Sequence, residues 1–157
     1  MSFHHNLDHW LFQAKKENCP YCQKADDPEN SVTLKLFQYA ELCAHPHVSL
    51  KGTCYLITRE HYVELFDLGD QELLGFMKEV QVSARVLKEV TRAVKINYEL
   101  HGNTVPHMHL HLFPRTVDDP FAGTAIDMHR TEPPVYRRNE FADFVAQMRQ
   151  KLADVDL

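Results

Sequence analysis

Between Pro106 and Arg115 the chain reads PHMHLHLFPR, with His107, His109 and His111 at every second position. Strict alternation is the period of a β-strand, whose successive side chains point to opposite faces. The three imidazoles then share one face, and Met108, Leu110 and Leu112 share the other. On a helix the same residues would spread around the cylinder. Pro106 and Pro114 are expected to bracket the strand, because proline is tolerated at strand ends.

The rest of the chain can be read around that strand. LDHWLFQAKK is a short helix candidate with Leu7, Trp10, Leu11 and Ala14 on one side. A CPYC segment and a polar loop, KADDPENS, follow. VTLKLFQYAELCAH reads as one or two strands, and GTCYLITREH as a clearer strand of β-branched and aromatic residues. DQELLGFMKEVQVSARVLKEVTRAV is the longest helix, with Asp70 placed to cap it and a stripe of Leu73, Met77, Val80, Ala84, Leu87 and Val94. KINYEL is a strand and HGNTV a turn. After a long loop, a last helix begins near Asn139 and carries Phe141, Phe144, Val145, Met148 and Leu152 inward. There is no repeat and no low-complexity tract. The pattern predicts an α+β fold with a mainly antiparallel sheet, one long helix packed on it and a C-terminal helix. At 157 residues it is expected to be one domain spanning 1–157.

Three readings of the histidines compete. They can lie on a solvated sheet face, but three in register between prolines ask for more. They can share one metal, but alternate Cα atoms in a strand stand roughly 7 Å apart and the outer pair roughly 13 Å apart. A tetrahedral zinc could not be spanned by all three, so separate tasks are expected. The central one can be a nucleophile. Imidazole is largely neutral near pH 7, and a backbone carbonyl on one nitrogen would fix the tautomer and aim the other. Cys19 and Cys22 form a CxxC that suits half of a zinc site. A redox pair is disfavoured, since no thioredoxin-like βαβ pattern surrounds it, and buried structural cysteines are the plainer alternative. Cys43 and Cys54 read as core residues of strands.

The formal net charge of −5 argues against a nucleic-acid groove binder, yet leaves room for a small phosphate ligand held by local donors. The first ten residues, MSFHHNLDHW, do not resemble a signal peptide, and no apolar run is long enough for a bilayer. Four cysteines are few for a disulfide scaffold. The expectation is a cytoplasmic, reducing setting with no membrane partner.

The segment NYELHGNTVPHMHLHLFPR resembles the signature block of the histidine triad (HIT) superfamily, and GTCYLITREHYVELFDLGDQEL resembles its earlier strand–loop–helix block. The resemblance runs from Cys19 to Arg115, the expected core, with 116–157 a less distinctive loop and helix. It implies a homodimer and a reaction: hydrolysis or transfer of a nucleotide at the α-phosphorus through a nucleotidyl-histidine. Carried onto this chain, it makes His109 the nucleophile, puts His111 on the phosphate oxygens, and places Thr104 by the phosphate or leaving group. Asn97 and Asn103 become phosphate contacts, Asn103 replacing the more usual glutamine. His107 lies beside the nucleotide. Thr53 stands where the family carries a histidine near the nucleotide, and His45 and His47 are close enough in sequence to compensate. Some bacterial members similar to this chain pair the CxxC with two histidines, which here are His61 and His107. That implies a structural Zn²⁺ on Cys19, Cys22, His61 and His107, and no organic cofactor. His4, His5, His9, His101 and His129 are assigned to surface or loop positions. Two other functions remain open: a HIT-like protein that binds a nucleotide with little turnover, and a metal hydrolase using the triad as ligands.

Overall fold

The computed structural model describes residues 6–23, 31–128, 130 and 134–155. His4, His5, His129 and most of the KADDPENS loop lie outside the described residues. Five strands form one antiparallel sheet in the order β1-β2-β3-β5-β4. They are β1 (Val32–Leu36), β2 (Ala40–Ala44), β3 (Cys54–Thr58), β4 (Lys95–Leu100) and β5 (His109–Arg115). Helix α1 (Leu7–Gln13) precedes them, α2 (Asp70–Thr91) joins β3 to β4, and α3 (Glu140–Ala153) follows β5.

The two faces of the sheet differ in kind. Leu34, Leu42, Leu56, Ile96, Leu110 and Leu112 point to one side and are buried beneath α2 and α3. Each such side chain fully buried is worth about 1.5–3 kcal/mol, which makes this face the main stabilising layer. The alternate residues, among them Glu41, Tyr55, Asn97, Glu99 and His111, point to the other side. Among the described residues that side carries no helix of comparable length, and a cavity of about 660 Å³ opens on it beside His107.

Several expectations are corrected in detail. The histidine strand begins at His109, so His107 belongs to the approach to the strand. Pro114 lies inside β5, opposite Ile96, past Leu112 where pairing with β3 ends. A proline is tolerated there because no ladder bond to β3 is lost. Gly69 occupies the cap of α2 and Asp70 is its first helical residue. The buried stripe of α2 is Phe76, Val80, Ala84 and Leu87, while Met77 and Val94 are exposed, Val94 beyond the helix end. Glu79 lies in that buried stripe because its Oε1 accepts the Tyr39 N–H at the β1–β2 turn, 2.8 Å away. Gly75 is required beside it, since a Cβ there would stand 2.1 Å from the Tyr39 ring. The expected apolar side of α1 is not fully buried: Leu7 and Leu11 are exposed and Ala14 is half-buried, as is Trp10, which donates from Nε1 to the Gly102 carbonyl at 2.9 Å. The inward face of α3 is as expected, with Phe144, Val145, Met148 and Leu152 buried and Phe141 packed against the same core. Cys43 and Cys54 are buried strand residues.

Candidate functional site

Two polar clusters meet at the start of β5. In the first, the chain after α1 brings Cys19 and Cys22 to His61, which follows β3, and to His107. Their ligand atoms all lie within 4.8 Å of one another. Cys19 Sγ is 3.3 Å from His107 Nδ1, Cys22 Sγ is 3.3 Å from His61 Nδ1 and 3.5 Å from His107 Nδ1, and the two Nδ1 atoms are 3.3 Å apart. Two nitrogens and two sulfurs around one tetrahedral zinc would stand about 3.3 Å apart (N to N) and about 3.5 Å apart (S to N). The donor set therefore has the shape of a zinc site. Its outer contacts agree. His107 Nε2–H donates to the Thr58 carbonyl at 2.7 Å, and His61 Nε2–H donates to the Ala14 carbonyl at 2.8 Å. Both bonds leave the Nδ1 lone pair free for a cation, the arrangement that orients ligating histidines in metal sites. Burial holds the His107 imidazole down to about 4, so it is neutral near pH 7. Burial and the neighbouring Cys19 push the Cys22 thiol up to about 11, so a bound cation is what would stabilise the thiolates.

The second cluster starts at the first residue of β5. His109 pairs with Ile57 and His111 with Tyr55 across the β3 ladder. His109 Nδ1–H donates to the His107 carbonyl at 2.6 Å, which fixes the tautomer and leaves the Nε2 lone pair free. The His109 and His111 ring centroids are 5.1 Å apart, and His111 stacks parallel on Phe113. Burial is the main cause that lowers both imidazoles, His111 to about 3, so both are neutral near pH 7. The imidazole of His107 thus turns toward the sulfurs while that of His109 faces the open side of the sheet.

The remaining candidates are placed as follows. Asn97 lies on β4 opposite Phe113, and its Oδ1 accepts from Arg115 at 3.1 Å. That bond orients the amide and leaves its N–H donors available. Arg115 itself is held by a two-point pair with Asp119 at 2.7 and 3.0 Å. The guanidinium keeps the Asp119 carboxyl below its ordinary value. Asn103 and Thr104 sit partly or fully exposed in the 101–106 turn, whose backbone Trp10 secures at Gly102. Thr53 is buried and donates its hydroxyl proton to the Leu50 carbonyl at 2.6 Å, so that proton is committed locally. His45 is also buried, and its Nδ1 accepts the His47 N–H at 2.9 Å, which organises the 45–47 loop.

Two residues at this site were not singled out from the sequence. The Tyr21 ring, between the two cysteines, lies edge-on to both His107 and His109, with centroids 5.5 and 5.6 Å away. His101, assigned above to the surface, stands 5.7 Å from His111 by ring centroid. The period-2 run Asn97, Glu99, His101 was the available signal for the second; no sequence pattern pointed to the first.

The HIT domain family model matches residues 34–118, more than half of the chain. The chain belongs to the HIT family. An uncharacterized HIT-like protein of Methanocaldococcus jannaschii is 32% identical over 73 residues, covering 44% of this chain and 57% of that relative. This HIT chain therefore matches little more than half the length of that relative. A zinc-bound histidine triad family protein from Mycobacterium smegmatis superposes with a TM-score of 0.66 at 20% identity, over 88% of this chain and 96% of that one. The diadenosine triphosphate hydrolase of Plasmodium falciparum, solved with cyclomarin A, gives 0.60 at 13% identity over 82% and 79%. These likenesses show the HIT fold. Among the described residues no helix is long and apolar enough to cross a membrane.

Proposed function

We propose that this HIT protein hydrolyses or transfers the nucleotidyl group of a nucleotide conjugate through a nucleotidyl-His109 intermediate. The observation that carries the reading is the His109 Nδ1–H bond to the His107 carbonyl, which presents a neutral Nε2 to the open face. In the first step Nε2 attacks the α-phosphorus and the bond to the leaving group breaks. The imidazolium that forms keeps its Nδ1 proton on the same carbonyl, so no side chain reorients as charge develops. Neutral His111 donates one N–H to a phosphate oxygen, and the Asn97 amide donates another. Asn103 and Thr104 approach from the turn, where the leaving group departs. Water, or another acceptor, then displaces His109 from phosphorus. The diadenosine triphosphate hydrolase of the same fold supports a dinucleoside polyphosphate as one substrate class.

On this reading Cys19, Cys22, His61 and His107 hold one structural Zn²⁺, as the donor spacing supports, and there is no organic cofactor. When bound, the ion supplies a fixed crosslink between the CPYC segment and the sheet and no chemistry at phosphorus. Thiolate ligands of this kind are kept in a reducing compartment, here the cytoplasm. The functional unit is one HIT-like domain over 1–157, paired as a homodimer. Exposed apolar side chains support the pairing: Tyr98 and Leu100 on edge strand β4, and Leu74 and Met77 on α2. Sedimentation at micromolar concentration is expected to give twice the 18.3 kDa chain mass, and a monomer would overturn it.

The direct test incubates the protein with adenosine and guanosine phosphoramidates, dinucleoside polyphosphates and nucleotide sugars. Release of nucleoside monophosphate, with a nucleotidyl adduct on the His109 peptide by mass spectrometry, is expected. Tight binding without release would instead favour a nucleotide-binding protein with little turnover.

A further inference from the structure

His101 ends the period-2 run that begins at Asn97 and Glu99, and the structure gives that run a purpose. Glu99 lies directly opposite His111 across the β4–β5 ladder. Its Oε2 accepts from His101 Nε2–H at 2.9 Å. The His101 ring is turned toward His111, with centroids 5.7 Å apart and planes at 66°. His111 in turn stands 5.1 Å from His109. Three imidazoles therefore form a chain of neighbours from the turn to His109, and the outermost is anchored by a carboxylate. It is also the open one: a third of its side chain meets solvent, whereas His109 is buried. The turn it starts, 101–106, is the one that carries Asn103 and Thr104. Trp10 holds the backbone of that turn at Gly102, so the position of His101 is built and not accidental.

Resting on the nucleotidyl-transfer reading above, we propose that His101 is the acid–base group of this site and that Glu99 is its positioning partner. Nε2–H is engaged by Glu99, which leaves Nδ1 as the nitrogen available to the reaction. In the first step the His109 Nε2–P bond forms and the bond from phosphorus to the leaving nitrogen or oxygen breaks. The Nδ1 proton of the His101 imidazolium passes to that leaving atom, and His101 becomes neutral. In the second step a water oxygen bonds to phosphorus and the P–Nε2 bond breaks. One water proton goes to His101 Nδ1, His109 leaves as a neutral imidazole, and His101 is restored as the imidazolium. Glu99 remains a carboxylate throughout and steadies the cation. Such a carboxylate–imidazole pair is a standard means of orienting a general acid.

The experiment compares two probes that differ in what they demand of an acid: the 4-nitrophenyl ester and the n-butyl phosphoramidate of a nucleoside monophosphate, with adenosine and guanosine. Nitrophenolate leaves without a proton, and butylamine does not. His101→Ala is expected to lower kcat/KM on the phosphoramidate by about 10²–10³-fold, the usual worth of general acid catalysis, and on the nitrophenyl ester by less than about tenfold. Glu99→Gln is expected to show the same selectivity with a smaller loss. The ratio of the two rates within one variant is independent of how much of it is folded, so a misfolded fraction cannot imitate the result. Equal losses on both probes, or no loss on the phosphoramidate, overturn the role of His101 alone. A wild-type protein that turns over neither probe overturns the nucleotidyl-transfer reading, and the role of His101 with it.

Discussion

His107 and His109 are two residues apart and use their rings in opposite senses. His107 ties Nε2–H to the Thr58 carbonyl and turns Nδ1 to the cysteines. His109 ties Nδ1–H to the His107 carbonyl and leaves Nε2 for the open face. In each case a backbone carbonyl selects the tautomer, and the tautomer selects the chemistry. On the proposed reading one ring is a ligand and the other a nucleophile, although their sequence surroundings look alike. The hinge between them is a single residue, Met108, whose N–H and C=O bond to Tyr62 and Thr58 and whose side chain is buried. It pins the backbone where β5 starts, and so keeps the two clusters distinct. The Tyr21 ring, lying against both imidazoles, adds a side-chain contact across the boundary.

The strongest way to separate the clusters is to delete one function from each. His109→Ala removes the attacking atom, and turnover is expected to fall by roughly 10⁴-fold or more. It also leaves the His107 carbonyl without its donor, a loss of about 1–3 kcal/mol in stability. Metal content should not change. Steady-state assays beside elemental analysis check both halves, and near wild-type turnover would sink the covalent mechanism.

Cys22→Ser attacks the other cluster. It removes one of two sulfur ligands, so metal content and thermal stability are expected to fall together. With free zinc about 1,000-fold above its Kd, the lost linkage is about 4 kcal/mol, or roughly 10 °C in Tm for a chain of this size. Turnover should fall far less than in His109→Ala. Scanning calorimetry with and without added zinc is the check. A metal-free variant as stable as wild type would mean that the cluster carries no ion of consequence.

How far these clusters were legible in the sequence depends on what specified them. The alternation through β5 placed Met108, Leu110 and Leu112 in the core and His109 and His111 opposite, because period 2 admits no other strand geometry. The metal cluster is a different matter. Spacing alone marked Cys19 and Cys22, whereas His61 and His107 came from family resemblance, since ligands 39 and 85 residues from Cys22 leave no local pattern. The stripe of α2 is as expected at Val80, Ala84 and Leu87, whereas Met77 lies at its exposed margin and Val94 lies past the helix end. Beside that stripe a buried carboxylate, Glu79, serves a turn far away in sequence, which no helical period marks. His101 was passed over for a related reason. It lies beyond the end of β4, and its importance arises only when β4 pairs with β5 and sets Glu99 opposite His111.

A smaller effect distinguishes the clusters by pH. Burial, then the neighbouring His109 and His101, lowers the His111 imidazole to about 3, while in the unfolded chain it titrates near its ordinary 6.5. Between those values the unfolded state binds a proton that the folded state refuses. The contribution of His111 to stability is therefore complete above about pH 6.5 and is lost as pH falls toward 3, with a slope of at most about 1.4 kcal/mol per pH unit. His111→Asn removes this group. Urea unfolding at pH 7, 6 and 5 is expected to show stability falling less steeply in the variant than in wild type. Equal slopes would mean that the folded protein accepts a proton at His111 as readily as water does.

The smallest effect concerns the support behind the ligand. Thr58 contacts His107 Nε2 twice, through its carbonyl at 2.7 Å and through its hydroxyl at 3.1 Å. Thr58→Val deletes only the hydroxyl and keeps the side-chain shape, so the carbonyl still selects the tautomer. The hydroxyl also donates to the Met108 carbonyl at 3.2 Å, and so ties the ring support to the residue that separates the two clusters. Its loss should loosen the ring without releasing it. Zinc affinity is expected to fall about tenfold, the lower end of what outer contacts contribute, or about 1.4 kcal/mol. Turnover with saturating zinc should change little, because His109 takes its tautomer from the His107 carbonyl and not from Thr58. Competition against a chromophoric chelator measures the first quantity and a steady-state assay the second. A variant that binds zinc as wild type does but loses turnover would show that the hydroxyl serves the nucleophile, and that the two clusters share their supports more deeply than their opposite tautomers suggest.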